Sequence, residues 1–181
     1  MAGGVNPETP RRTRLLSSLI LAALAVVVLV AATTVFQMMG RSRSGASDVG
    51  QPAPDLALPT AGGEVVRLSE LRGRWVLLNF RTTTCSYCRE ETPSLQEASQ
   101  TLEEVVVLSV YVTESAERVA AYTTALSATY PSLVDADGAA MRAYAVRGVP
   151  VSYFIDPDGR ISARHLGPLT VESIRGYVGG G

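Results

Sequence analysis

The pattern of apolar and polar positions divides the chain into three stretches. From Leu15 to Phe36 there are 22 consecutive uncharged residues, mostly Leu, Ala and Val. As a helix rising ~1.5 Å per residue, this run reaches roughly 33 Å, enough to cross a ~30 Å hydrocarbon core. Residues 37–48 have no apolar period, are rich in Gly and Ser, and read as a flexible linker. Beyond them short apolar segments alternate with polar turns. Asp55 to Leu58 and Glu64 to Leu68 are extended segments joined through Thr60-Ala61-Gly62-Gly63, a hairpin pattern. Ser69-Glu70-Leu71 makes one helical turn that Gly73 stops.

Two near-continuous apolar runs come next, Trp75 to Phe80 and Val105 to Val112. Such runs mark strands buried on both faces, as in parallel sheets covered by helices. Between them Arg89 to Leu102 carries Leu95, Ala98 and Leu102 at helical spacing. Ser115 to Thr129 repeats Val119, Tyr122, Ala125 and Leu126 and predicts a helix ended by Pro131. Ser132 to Val134 predicts a strand and Ala139 to Val146 a helix. Val151 to Ile155 and Arg160 to Leu166 predict strands turning at Pro157-Asp158-Gly159. Thr170 caps a last helix over Val171 to Val178, with Ser173 in its first turn. The order β-hairpin, β, α, β, α, β, α, β, β, α predicts an α/β domain with a central mixed sheet flanked by helices.

Charge sharpens the division. Residues 1–50 hold five Arg and two acids, whereas residues 51–181 hold eleven Arg and fifteen acids. Arg11, Arg12 and Arg14 precede the apolar run and Arg41 and Arg43 lie beyond it, which favours an N-inside orientation. The run exceeds the usual h-region of a cleaved signal, and the one small-x-small site beyond it, Ser44-Gly45-Ala46, lies past two arginines. The expected organisation is a cytoplasmic tail at 1–14, an uncleaved transmembrane anchor at 15–36, the linker at 37–48, and a domain at 49–181 outside the cytoplasm. With 16 basic and 17 acidic residues overall, no basic field recommends a nucleic-acid partner. Two cysteines exclude a disulfide-stapled scaffold and a four-thiolate zinc site.

Those two cysteines form Cys85-Ser86-Tyr87-Cys88, placed where a buried strand gives way to a helix. A first thiol at a helix N-terminus meets unpaired backbone N–H groups that favour its thiolate, and a second thiol one turn on can displace whatever the first has bound. In this context the spacing reads as a redox pair. A structural disulfide is the bland alternative, although so small a loop constrains the unfolded chain little. A zinc site would need two more ligands, and the single His165 offers one nitrogen.

Several motifs together resemble the TlpA/ResA-like group of thioredoxin-fold proteins: Val49-Gly50-Gln51-Pro52-Ala53-Pro54-Asp55, Leu68-Ser69-Glu70-Leu71-Arg72-Gly73, Val76 to Phe80, Cys-x-x-Cys-Arg-Glu-Glu-x-Pro, and Gly148-Val149-Pro150 with Tyr153-Phe154-Ile155-Asp156. The resemblance spans residues 49–178. It implies a thioredoxin-like fold with an N-terminal β-hairpin extension behind one transmembrane helix, and a thiol–disulfide oxidoreductase that needs no cofactor or metal. It implies clients with cysteine thiols or disulfides, apocytochrome c being one example, and an electron donor of the CcdA or DsbD type in the membrane. By position, Cys85 is the attacking thiol, Cys88 the resolving thiol and Glu91 an acid near both. Pro150 matches the cis-proline facing the disulfide, and the backbone of Val149 would pair with a client segment.

The chain departs from that group just before the motif. Arg81-Thr82-Thr83-Thr84 stands where Trp-Ala-x-Trp is usual, and Tyr87 replaces a proline. Arg81 and Thr84 are therefore candidate client contacts, and a guanidinium beside Cys85 would favour its thiolate. Two other readings remain open. Thr82-x-x-Cys85 matches part of a peroxiredoxin site, without its preceding proline. A Sco-like copper carrier would need thiols three residues apart and a suitably placed His. Asp135, Asp137, Asp156 and Asp158 read as turn residues.

Overall fold

The computed structural model describes residues 26–30, 33 and 48–179, in two compact units, 1–44 and 45–181. Most of the expected anchor, the tail and nearly all of the linker lie outside the described residues. Residues 26–30 and 33 are helical, and no described helix is long and apolar enough to cross a membrane.

In the second unit β1 (Ala57–Pro59) and β2 (Val65–Arg67) form an antiparallel hairpin, with a 3-10 turn after it at Leu68–Leu71. Then come β3 (Trp75–Arg81), α1 (Ser86–Glu90), α2 (Thr92–Thr101), β4 (Val105–Val112), α3 (Ala116–Ala125), β5 (Ser132–Asp135), α4 (Ala139–Ala143), β6 (Val151–Ile155), β7 (Ile161–Leu166) and α5 (Val171–Val178). The five-stranded sheet runs β5-β4-β3-β6-β7, parallel across β5, β4 and β3 and antiparallel across β3, β6 and β7. It is the expected thioredoxin-like mixed sheet.

Successive residues of a strand face opposite sides, and β3 therefore feeds two separate cores. Val76, Leu78 and Phe80 join one with Leu108, Val110 and Leu133, closed by Ala140 of α4, by Tyr144 just past it, and by Leu56 and Leu68. Leu77 faces the other side, with Leu95 and Ala98 of α2 and Ile174 and Val178 of α5. On that side α3 packs Val119 against Tyr111 and Val134. Asn79 and Arg81 share the parity of Leu77, so the end of β3 carries two buried polar side chains under the cysteine motif.

Three helices differ from the periodicity. The helix expected over Arg89 to Leu102 is two, divided at Glu91. Pro93, in the first turn of α2, has no N–H for the carbonyl four residues back and its ring crowds that turn, which kinks or breaks a helix at this point. α3 stops at Ala125, ahead of Pro131, because Ser127 turns to positive φ and the Ala128 N–H bonds the Thr123 carbonyl. α4 stops at Ala143, with Ala145 at positive φ. The last helix matches its expected bounds, and Thr170 and Ser173 cap it reciprocally. At the β6–β7 turn Gly159 has φ +76° and lies against the Arg72 guanidinium, which a Cβ there would strike.

Candidate active site

The end of β3 delivers the chain into a three-threonine loop, and Cys85 caps α1. Its backbone is extended (φ −83°, ψ 117°), and its sulfur accepts the Cys88 N–H at 3.1 Å. Cys85 and Cys88 are joined as a disulfide, their Cα atoms 5.2 Å apart. The two sulfurs are unequal in access: Cys85 is partly exposed, whereas Cys88 is buried. An attacking and a resolving thiol require that asymmetry. The N–H aimed at the Cys85 sulfur favours its thiolate once the disulfide opens.

Facing the disulfide, the Val149–Pro150 peptide is cis. The Val149 carbonyl oxygen lies 3.9 Å from the Cys85 sulfur, and the Pro150 carbonyl accepts the Gly167 N–H at 3.0 Å. Val149 and Pro150 thus stand beside the reactive sulfur, on a loop tied to the far end of β7.

Glu91 sits where α1 passes into α2 and is 1% exposed. Its carboxylate accepts Asn79 Nδ2 at 2.9 Å and the Leu169 N–H at 3.2 Å. Burial pushes its pKa above the usual range, against the pull of the Arg81 charge and those two hydrogen bonds. Asn79 also donates to Ser152 Oγ at 3.0 Å, and its Oδ1 has no partner. The resemblance places Glu91 near the thiols, but its partners Asn79 and Leu169 lie far from it along the chain and are brought to it only by the fold.

Arg81 is a correction. The sequence offers it as a client contact beside Cys85, yet its side chain is fully buried. The guanidinium donates to Tyr130 Oη at 3.1 Å, to Thr92 Oγ1 at 2.7 Å and to the Cys88 carbonyl, and lies 5.6 Å from the Tyr111 ring centre. Position parity explains this, since Arg81 continues the inward series of Leu77 and Asn79. It ties β3 to the Cys88 backbone and has no exposed surface to offer a client. Its charge holds against desolvation because tyrosines, Thr92 and Glu91 surround it. Thr84 is exposed at the motif's edge, 3.5 Å from Thr82 across their hydroxyls.

Sequence reasoning missed two carboxylates. Glu114, just past β4, accepts the Thr83 N–H at 3.0 Å and the Thr83 hydroxyl, pinning the loop that replaces the tryptophan segment. Asp135, expected as a turn residue, is fully buried and accepts the N–H groups of Ala140 (3.0 Å) and Met141 (2.8 Å). Nothing in their neighbourhoods along the chain signals either role, because the partners are set by the fold. His165 is engaged by Tyr177 Oη (3.2 Å) and the Pro168 carbonyl (3.3 Å).

The AhpC/TSA family matches residues 49–164. The chain belongs to that family. The chain is 32% identical over 156 residues to the thioredoxin-like protein YneN of Bacillus subtilis, covering 83% of this chain and 91% of that protein. It is 31% identical over 132 residues to the thiol-disulfide oxidoreductase ResA of Geobacillus thermodenitrificans, covering 72% and 76%. A putative thiol:disulfide interchange protein DsbE from Chlorobium tepidum superposes with a TM-score of 0.62 at 29% identity, covering 70% of this chain and 90% of that one. This AhpC/TSA member is a ResA-like thiol–disulfide oxidoreductase of thioredoxin-like fold, carrying the Cys85–Cys88 pair.

Proposed function

We propose that the protein is an extracytoplasmic reductant, held at the membrane by residues 15–36 with its N-terminus inside, that opens disulfides in client proteins. The observation that carries the exchange step is the unequal access of the two sulfurs beside the Val149 carbonyl. In the reduced protein the Cys85 thiolate attacks a client disulfide, forming a Cys85–client bond and expelling one client thiolate, which takes up a proton. Cys88 gives up its proton and attacks the Cys85 sulfur. The second client thiolate leaves and is protonated, and the Cys85–Cys88 disulfide closes. Two electrons pass to the client, with one proton from Cys88 and one from solvent, where Cys85 released its own on ionising. A CcdA- or DsbD-like membrane protein returns the pair to the dithiol by the reverse exchange. Apocytochrome c is one client that this chemistry suits. Glu91, buried and held toward its neutral form, serves as the proton carrier for this exchange. The backbone of Val149 aligns the client as an added strand.

One labelling experiment tests direction and side together. In intact cells a membrane-impermeant maleimide is expected to modify Cys85. A chain left unlabelled until lysis overturns the location, and a disulfide at steady state overturns the reducing role.

A further inference from the structure

Beside the disulfide lies an open groove of about 500 Å³, lined by Tyr87 of the motif, Val149, Pro150, Arg147, Arg164 and Leu166, among others. Four large apolar side chains are exposed in the folded unit's described residues, Val49, Val65, Tyr87 and Leu166, and two of them, Tyr87 and Leu166, meet here, 60% and 68% exposed. Among the described residues no carboxylate lines the groove. Among the described residues the ion pair within 4 Å joins Arg67 and Glu70, so the exposed Arg147 and Arg164 face no acidic partner. The Arg164 guanidinium lies 5.6 Å from the centre of the Tyr153 ring, which positions it at the groove while the residue stays exposed. In a domain with fifteen acids and eleven arginines, this is a local positive surface, and its wall includes Val149, whose carbonyl oxygen lies 3.9 Å from the Cys85 sulfur.

We infer that this groove selects client segments carrying acidic side chains next to their cysteine. The occupant is an extended polypeptide whose apolar side chain rests on Tyr87 and Leu166 while its carboxylates meet Arg147 and Arg164. Charges at the rim of an interface act chiefly on association rate and partner choice. The inference rests on the exchange reaction proposed above and names the clients that it favours; docking precedes the electron transfer already written and leaves its balance unchanged.

The test uses the reduced full-length chain and synthetic peptides that each contain one internal disulfide, identical except for Asp, Gln or Lys beside the cysteines. The second-order rate of Cys85–Cys88 oxidation is expected to be about 3–10-fold higher for the Asp peptide than for the Lys peptide at low salt. That preference should collapse near ~0.5 M salt, where exposed charges are screened. In Arg147→Gln/Arg164→Gln the ratio should approach one, and in Arg147→Glu it should invert. Equal rates in the unmodified chain, or a ratio that survives both variants, overturn the inference while leaving the exchange reaction standing. No oxidation by any peptide overturns the exchange reaction itself and the inference with it.

Discussion

Burial converts Glu91 from an ordinary helix glutamate into an acid that keeps its proton above the usual 4.5. Between the ordinary value and the raised one, the native state binds a proton that the unfolded chain has released. Stability therefore falls as pH rises through that window, the reverse of a salt-bridged carboxylate. Glu91→Gln should flatten this part of the stability–pH curve in denaturant titrations taken upward from the usual 4.5. The same variant should slow exchange if the group carries protons, whereas a purely structural glutamate would alter stability alone. Arg81 makes a contrasting case. Its guanidinium satisfies Tyr130, Thr92 and the Cys88 carbonyl at once. Arg81→Ala removes all three and leaves a cavity, so a loss of roughly 3–5 kcal/mol in denaturant midpoints is expected. The sequence cannot show which way Arg81 points; that it shares with Leu77 and Asn79 the face covered by α2 and α5 becomes visible only when the strand's two faces are assigned.

At the scale of elements, hydrophobic period carries far. β4, β6 and α5 match their expected bounds, because their ends coincide with strong local signals such as the Thr170–Ser173 cap. Where ends depend on the fold, the pattern overshoots: α3 and α4 continue in apolar period past the points where Ser127 and Ala145 turn left-handed. α4 has five residues, too short to persist alone, and it is held by Asp135, which fixes two of its first N–H groups from the end of β5. Asp135→Ala should cost roughly 2–3 kcal/mol, read from the denaturant midpoint, with hydrogen exchange rising first at Ala140 and Met141. Native protection at those two amides in that variant would show that packing of Ala140 and Tyr144 alone holds the helix.

At the scale of the whole molecule, the pattern predicts a mixed sheet covered by helices, but the strand order β5-β4-β3-β6-β7 is written in no single segment. Pairing is decided between residues far apart in the chain, such as Leu77 with Val107 and with Phe154. The cysteine spacing makes the chemistry legible along the chain. Glu91 and Pro150 are legible there through the family resemblance, whereas Asn79 and Glu114 join the site only in three dimensions. The architecture assigns unlike tasks to two sulfurs three residues apart, and that division is open to direct test. Cys88→Ala should accumulate a mixed disulfide with client protein that thiol reductant releases, and Cys85→Ala should accumulate none. Absence of an adduct on Cys88→Ala, or equal adducts on both variants, would contradict the account.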